Sequence, residues 1–225
     1  AEAGRGAASG YINLASKLPQ TENSREVSAT YNTAEHARLT ADINQVINDG
    51  IAVRLNAMGQ DGGVEGRDFI ENNGWAIAPS IAFGLDSDTR LYLYSQHIRQ
   101  RNIPDGGIPT IGMKGFYNAD SALASAPKVN RENYYGQAND HEDVDADMYT
   151  AKIESDLAEN VKLTNITRLG KTSMNRVLTG INTGSAGLRT NGSTDPKDWE
   201  VNRSRQGVDQ ENKILANQTT LNLNL

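Results

Sequence analysis

Apolar and polar residues alternate along most of the chain with a period of two, the pattern typical of β-strands that have one apolar and one polar face. In residues 74–84 every second residue is apolar and mostly large, and the residues between are small; the apolar ones are Trp75, Ile77, Pro79, Ile81 and Phe83. Almost no stretch sustains the period of a helix. The alternation predicts strands over residues 25–34, 36–47, 51–59, 74–84, 89–100, 142–157, 160–175 and 211–225.

The connections between these strands are alternately short and long. Asn48-Asp49-Gly50 is typical of a tight turn, because glycine accepts a positive φ angle without steric cost. Short turns at one end and long loops at the other are typical of outer-membrane barrels. The pattern therefore predicts an all-β antiparallel meander, with its Leu, Ile and Val faces toward lipid and its polar faces toward a wet lumen. Short turns are expected near residues 48–50, 86–88 and 158–160, and long loops over 60–73, 101–141 and 176–210.

The composition argues against several classes of function. The 28 acidic and 22 basic residues give a net charge of −6, and a mildly acidic chain binds the phosphate backbone of nucleic acids poorly. Cysteine is absent, which excludes disulfides, thiolate zinc sites and a cysteine nucleophile. The histidines, His36, His97 and His141, lack ligand spacing, so no metal site is predicted; a His97–His141 pair is the alternative. No Ser-His-Asp arrangement at a recognisable spacing is present, and we expect no enzyme.

Two motifs resemble ligand sites but lack required residues. The glycines of residues 4–10 are not followed by the Lys-Ser or Lys-Thr of a phosphate-binding loop. Asp143, Asp145 and Asp147 begin like a calcium loop, but Met148 occupies the position that requires glycine. Their spacing of two places the three carboxylates on one face of a strand, where they repel one another unless Arg or Lys lies opposite. An acidic lumen or rim is the favoured interpretation, and a weak cation site the alternative.

Several segments carry a family resemblance. Residues 4–14, with the sequence GRGAASGYINL, resemble the end of the plug domain of TonB-dependent outer-membrane receptors. Residues 101–110 (RNIPDGGIPT), 129–136 (VNRENYYG) and 143–148 (DVDADM) are similar to segments of the catecholate siderophore receptors in that family. The resemblance implies a barrel of about 22 strands closed by an N-terminal plug. Residues 1–18 would be the C-terminal end of the plug, and residues 19–225 the incomplete first part of the barrel, so we expect the chain to be a fragment.

The resemblance also implies a function, the uptake of a ferric siderophore, with a catecholate favoured, across the outer membrane of a Gram-negative bacterium. The expected partners are the ferric siderophore, outer-membrane lipid and the TonB–ExbB–ExbD complex, reached through a TonB box that this chain lacks; nucleic acid is not expected. No cofactor is expected, because ferric iron is carried inside the siderophore as substrate. Alternatives are a receptor of the same family for cobalamin or a glycan, or an extracellular all-β binding module. The plug motif disfavours a plain porin.

The favoured site for such a ligand combines arginines and tyrosines in and beside the 101–141 loop. A ferric catecholate complex is anionic and ringed by aromatic groups; Arg supplies charge and a planar stacking surface, and Tyr supplies a ring face and a hydroxyl donor. The alternative is that these tyrosines pack the loop or belong to an aromatic girdle of the barrel. The loop is predicted to be the main ligand-facing element of the intact receptor. The candidate residues are Arg99, Arg101, Tyr117, Arg131, Tyr134 and Tyr135.

Overall fold

A computed structural model describes residues 15–115, 121–182 and 187–223 of the chain. A four-residue helix, α1 (Ser121–Ala124), and a 3₁₀ turn (Pro196–Asp198) lie in two of the loops. The strands are β1 (Ser24–Tyr31), β2 (Ala37–Asn48), β3 (Ile51–Asp61), β4 (Gly63–Val64), β5 (Arg67–Glu71), β6 (Gly74–Phe83), β7 (Thr89–Asn102), β8 (His141–Ala158), β9 (Val161–Ile181), β10 (Leu188–Arg189), β11 (Glu200–Val201) and β12 (Arg203–Leu223).

Eight of these strands form one antiparallel sheet, in the order β1-β2-β3-β6-β7-β8-β9-β12, and the predicted meander is confirmed. Two small hairpins, β4–β5 and β10–β11, lie within the connections. Among the described residues, no helix is long and apolar enough to span a membrane. The connections 49–50, 84–88 and 159–160 lie at one end of the sheet, here called the turn end. The connections 32–36, 62–73, 103–140 and 182–202 lie at the other, called the loop end.

The last two strands of the sheet are longer than the sequence predicts. Both β9 and β12 have 21 residues and pair continuously from Arg203 opposite Ile181 to Leu223 opposite Val161. The predicted loop over 176–210 is therefore wrong, and the connection covers only residues 182–202. Residues 203–212 are polar on both faces, which hides the period of two. A strand that projects into water on both sides needs no apolar face.

The two faces of the sheet differ in the way that the alternation predicts. On one face Leu39, Leu55, Ile77 and Leu93 are between 39% and 55% exposed, and Ile81 and Phe83 on the same face are not buried either. The most buried side chains in the middle of the sheet lie on the opposite, concave face. The prediction that the large apolar residues of β6 point outward, and not into a closed core, is confirmed. The buried residues of the concave face are Asn44, Ala52, Ser80, Ala82, Tyr92 and Thr150.

The outward face of β9 and β12 departs from the expected apolar surface. The Asn165 side-chain amide donates to Asn217 Oδ1 at 3.2 Å and to Thr219 Oγ1 at 2.8 Å. Asn217 in turn donates to Thr167 Oγ1 at 2.7 Å. These four side chains satisfy one another across the strand pair. On β9 and β12 this polar group interrupts the predicted apolar outward face, which also carries the exposed Leu169, Leu215 and Leu221.

The chain enters the sheet along the concave side of β2 and β3. Residues 15–20 join no strand. Lys17 Nζ lies 2.8 Å from Asp42 Oδ2, and Arg54 Nη1 donates to the Leu18 carbonyl at 2.9 Å. Residues 1–14 lie outside the described residues, so the assignment of residues 1–18 to a plug stays a prediction.

Candidate ligand-binding loop cluster

The loop of residues 103–140 folds back onto the β4–β5 hairpin at the loop end. Glu71 and Ile103 exchange two backbone hydrogen bonds of 3.4 and 3.0 Å. Farther along the loop, the Asp68 amide donates to the Glu132 carbonyl at 2.9 Å. Both the start and the later part of the loop are thus tied to one hairpin, which holds the candidate residues that follow Asn130.

A buried carboxylate holds the end of this loop to β9. The Asp140 side chain has no exposed surface. Its oxygens accept from the backbone amide of Gln137 at 3.1 Å, the amide of Thr179 at 2.8 Å and the Thr179 hydroxyl at 2.9 Å. Arg205 Nε lies 3.6 Å from Asp140 Oδ1 and supplies positive charge. Buried charge is tolerated only with such partners, so this group fixes where the loop meets the sheet.

Two arginines of β12 hold the same end of the loop through its backbone. Arg203 Nη1 donates to the carbonyls of Tyr135 and Gly136 at 2.8 and 2.9 Å. Arg205 donates to the Asn139 carbonyl at 3.4 Å. Both arginines belong to the part of β12 that the sequence assigned to a loop, which is why they were not among the predicted functional residues.

Arg131 is exposed and lies against the turn of the β4–β5 hairpin. Its guanidinium covers Gly66, where a Cβ would come within 2.7 Å of Arg131 Nη2. Gly66 also has a φ of +68°, which favours glycine. Within residues 15–115, 121–182 and 187–223, no carboxylate lies within ion-pair distance of Arg131. An exposed cation without a partner is free to meet an anionic ligand.

Tyr134 packs against the β4–β5 hairpin beside Arg131. The rings of Tyr134 and Phe69 have centroids 5.9 Å apart, and the Tyr134 hydroxyl donates to the Gln137 carbonyl at 3.4 Å. Burial, followed by the charges of Asp140 and Asp105, raises the pKa of the Tyr134 hydroxyl, so this group stays a proton donor.

The neighbouring candidates have different positions. The Tyr135 hydroxyl accepts from Asn133 Nδ2 at 3.2 Å, within the loop itself. Gly136 leaves room for the ring of Tyr134, since a Cβ at this position would clash with that ring. Tyr117 lies outside the described residues.

The structure separates Arg99 and Arg101 from the loop candidates. Arg99 lies opposite Trp75 across β6 and β7, with its guanidinium 5.7 Å from the indole ring, so both arginines belong to the outward face. Arg99 Nη2 contacts both oxygens of Asp147 at 3.0 Å, and Arg101 Nη2 lies 2.8 Å from Asp145 Oδ1. Their charges are already compensated. We use the name outward rim for these two arginines and the three aspartates beside them, Asp143, Asp145 and Asp147.

The position of the three aspartates corrects one part of the sequence interpretation. Asp143, Asp145 and Asp147 share the outward face of β8 with Tyr149, so a lumen lining is wrong and a rim position is right. Their mutual repulsion is relieved by cationic neighbours on β7, as the sequence argument required.

The histidines do not form a metal pair. His97 Nδ1 lies 2.6 Å from Asp147 Oδ1, whereas His141 Nε2 contacts Asn175 Oδ1 at 2.8 Å. Among the described residues, no group of three or more His, Cys, Asp or Glu side chains is placed to hold a metal ion.

The chain is similar to known proteins over most of its length. No family model matches the sequence. Over 222 residues, or 97% of the chain, it is 41% identical to the catecholate siderophore receptor Fiu of Escherichia coli (strain K12). It is also 36% identical over 178 residues, or 78% of the chain, to the probable TonB-dependent receptor BfrD of Bordetella pertussis. The chain is thus similar in sequence to one part of each of these receptors.

Solved structures agree with the sequence comparison. The chain superposes on the closed form of the ferric-catecholate import receptor Fiu from E. coli with a TM-score of 0.87 and 39% identity, covering 96% of the chain and 31% of that structure. The siderophore receptor PiuA from Acinetobacter baumannii gives a TM-score of 0.77 with 26% identity, over 92% of the chain and 28% of that structure. The predicted resemblance and the barrel fold are confirmed.

The match covers only part of each relative. The chain spans 29% of the length of Fiu and 23% of BfrD. Both relatives are named as receptors. What they bind belongs to those proteins, and its transfer to this chain is a proposal.

Proposed function

We propose that this chain forms part of an outer-membrane receptor for TonB-dependent uptake of a ferric siderophore, with a catecholate as the favoured ligand. The apolar outward face of β2 to β7 would lie in the outer membrane of a Gram-negative bacterium. Energy would come from the TonB–ExbB–ExbD complex. Iron would arrive inside the siderophore, so no resident cofactor is needed.

This proposal rests on a group of residues at the loop end of the sheet, here called the loop cluster. Its members are Arg131, Tyr134, Asp140, Thr179 and Arg203. There Arg131, which has no acidic partner among the described residues, covers Gly66, and the ring of Tyr134 packs on Phe69 of the same β4–β5 hairpin. An anionic, aromatic iron complex requires charge and stacking surface together. The outward rim does not offer this combination, because its arginines are bound to carboxylates. The 41% sequence identity to the catecholate siderophore receptor Fiu supports the same class of ligand.

Each residue of the cluster has a distinct expected contribution. Arg131 would attract the negative charge of the complex. Tyr134 would present its ring to a catechol ring, while its hydroxyl donates to the Gln137 carbonyl. Asp140, Arg203 and Thr179 would act as positioning residues, since they hold the loop and not the ligand.

The test is uptake of defined siderophores by a bacterium that lacks its own receptors and expresses a full-length receptor containing this chain. We expect iron uptake from catecholate complexes, little or none from hydroxamate complexes, and none without TonB. We expect the variant Arg189→Ala, in the 182–202 loop, to take up the same siderophores as the parent. Uptake of cobalamin or a glycan, without uptake of iron, would show that the ligand is not a siderophore. Binding of a ligand by the chain alone in detergent-free buffer would indicate an extracellular binding module.

A further inference from the structure

Three polar side chains form a hydrogen-bonded relay on the outward face, at the border between its apolar residues and the outward rim. His97 Nδ1 lies 2.6 Å from Asp147 Oδ1, and His97 Nε2 lies 3.1 Å from the hydroxyl oxygen of Ser95. Arg99 contacts both oxygens of Asp147 at 3.0 Å, which fixes this carboxylate. An ionised carboxylate only accepts hydrogen bonds, so neutral His97 donates from Nδ1 and accepts the Ser95 hydroxyl at Nε2.

The relay has the order of groups found in serine hydrolases, which is carboxylate, imidazole and hydroxyl. Ser95 and His97 are two residues apart on β7 and therefore point to the same face. Asp147 lies 50 residues farther along the chain than His97, and the pairing of β7 with β8 brings the two side chains together. The spacing in the sequence gives no sign of this arrangement, because it depends on the pairing of the strands.

An apolar groove crosses the outward face and passes Ser95. Its volume is about 800 Å³, and both Ser95 and Tyr149 belong to its lining. In the register of the sheet, Pro79 lies opposite Ser95, Leu55 opposite Pro79, and Ile43 opposite Leu55. Because strands lie about 4.8 Å apart, this row extends about 14 Å from Ser95. One leaflet of the ~30 Å hydrocarbon core has about the same depth, so the groove has room for a lipid acyl chain.

The relay lies at the level where the esters of membrane lipids are expected. Trp75 and Tyr149 on the same face are 45% and 53% exposed, and exposed aromatic side chains of barrels mark the level of the lipid headgroups. On β7, the apolar Leu93 lies on the turn-end side of Ser95, and the charged Arg101 lies on the loop-end side. An ester joins the headgroup of a lipid to its acyl chain, and it therefore lies at this border.

We propose that this site hydrolyses an ester-linked acyl chain of a membrane lipid, which would lie in the groove. The inference goes beyond siderophore uptake but rests on the membrane placement in the proposed function. The Ser95 oxygen would bond to the ester carbonyl carbon while its proton passes to His97 Nε2. His97 would give this proton to the alcohol oxygen as the carbon–oxygen bond of the ester breaks. Water would then add its oxygen to the acyl carbon and a proton to His97, and His97 would return that proton to Ser95 as the carboxylic acid leaves.

The other side chains of the site have supporting roles. Tyr149, opposite Ser95 on β8, would donate from its hydroxyl to the carbonyl oxygen as negative charge develops there. Asp147 and Arg99 would act as positioning residues, since they hold His97 and do not meet the ester.

The activity is tested with the purified full-length receptor in detergent micelles that contain phosphatidylethanolamine or lipid A, without any siderophore. We expect release of fatty acid, measured by mass spectrometry, and a loss of at least about a hundredfold in Ser95→Ala and in His97→Gln. Ser155→Ala, a half-buried serine on the outward face that bonds to Thr89 at 2.8 Å, is the matched control and should keep the parent rate. The lipid that is hydrolysed identifies the source of the acyl chain. Release no faster than in Ser95→Ala with both lipids would overturn the proposal.

The reactivity of Ser95 is tested separately with a fluorophosphonate, which forms an oxygen–phosphorus bond with an activated serine and releases fluoride. Mass spectrometry should find the adduct on Ser95 in the parent and in Ser155→Ala, but not in His97→Gln. This measurement also distinguishes the receptor from a contaminating lipase. A parent receptor whose Ser95 stays unmodified would contradict the relay.

The positioning role of Asp147 predicts a particular kinetic change. Asp147→Asn keeps the size of the side chain but no longer fixes the proton of His97 on Nδ1. The kcat for the lipid should fall by at least about tenfold while KM stays the same. A kcat equal to that of the parent would contradict this role.

The groove is tested by filling it away from the relay. Leu55 lies two strands from Ser95, so Leu55→Trp should slow the hydrolysis of long-chain esters and leave that of an acetyl ester unchanged. An equal loss for both esters would show that the acyl chain does not lie in the groove.

The proposed uptake and the proposed hydrolysis fail in different ways. Ser95→Ala should take up siderophores at the parent rate, at equal surface levels, because the relay lies on the outward face. Loss of siderophore uptake by the parent would contradict the proposed function and leave the release of fatty acid as it is. Loss of fatty acid release alone would contradict the hydrolysis.

Discussion

The loop cluster and the outward rim both contain arginines and aspartates, but these side chains have different roles in the two regions. In the loop cluster, the Asp140 side chain is fully buried and accepts three hydrogen bonds, while Arg131 is exposed and has no acidic partner in the part of the chain that the structure describes. In the outward rim, only three to seven residues farther along the chain, the carboxylates of Asp143 and Asp147 are 43% and 32% exposed and pair with arginines. In the first region the carboxylate orders backbone and the cation stays free. In the second, the charges satisfy one another.

The difference shows that charge alone does not mark a binding site. A ferric siderophore complex would have to break an Arg99–Asp147 or Arg101–Asp145 pair to use the rim, and it would meet the remaining carboxylates. At Arg131 it would break no ion pair with any carboxylate of the described residues. The variants below separate the two regions, beginning with the largest expected effect.

Asp140→Ala should loosen the loop more than any other single change considered. It leaves the amide of Thr179 and the amide of Gln137 without their acceptor, and we expect the local free energy of opening to fall by about 2–4 kcal/mol. Hydrogen exchange of residues 134–140 in the full-length receptor measures this effect. Siderophore affinity should fall with it, because Tyr134 and Arg131 lose their fixed position.

Asp143→Ala is the control on the same strand. Its carboxylate is 43% exposed and lies 4.0 Å from Arg101, so the expected cost is about 0.2–1 kcal/mol or less. An equal loss in both variants would mean that burial does not distinguish the two regions.

The sequence predicted the sheet well and the site only in part. Alternation located every strand of the main sheet, because one face of β2 to β7 is apolar. The alternation did not predict the ends of β9 and β12 near the 182–202 connection, where both faces are mostly polar. Arg203 and Arg205 were therefore assigned to a loop. It grouped Arg99 with Arg131 because both are close to the loop in sequence. The parity that Arg99 shares with Leu91 and Leu93 already placed it on the apolar, outward face. Nothing local marks Asp140 as buried, since its burial depends on Thr179, far away in the chain.

Gly136→Ala should disturb the loop cluster without removing any charge. A Cβ at this position would clash with the ring of Tyr134, which must leave Phe69 or shift the backbone, at a cost of about 1–3 kcal/mol. Gly180→Ala is the matched control, because a Cβ there meets nothing within 4 Å. Reduced siderophore affinity in the first variant only, with equal surface levels, is the expected result. Unchanged affinity in both would show that the position of Tyr134 does not matter for binding.

Removing the candidate contacts directly compares the two regions. Arg131→Ala and Tyr134→Ala should each weaken siderophore binding to intact cells by about 0.5–2 kcal/mol if each makes one stacking or cation–π contact. Arg99→Ala with Arg101→Ala should leave affinity unchanged, because these side chains lie on the outward face. Barrel assembly should not suffer in either case, since the ladder hydrogen bonds are intact. The reverse result would move recognition from the loop to the rim.

The smallest expected effect is the loss of stability when an ion pair of the outward rim is removed. The salt dependence of this loss distinguishes the rim from the loop cluster. Arg101 and Asp145 are 51% and 42% exposed, so Arg101→Ala should cost about 0.2–1 kcal/mol at low ionic strength. At about 1 M salt the screening length is about 3 Å, and the cost should approach zero. The cost of Asp140→Ala should persist, because the Asp140 carboxylate is buried and accepts two hydrogen bonds from the buried Thr179, which salt does not reach. Unfolding of the receptor in urea at both salt concentrations measures the two differences. A salt-independent cost of Arg101→Ala would mean that other parts of the receptor bury the rim, and its arginines would then have to be counted with Asp140 as groups that order the structure.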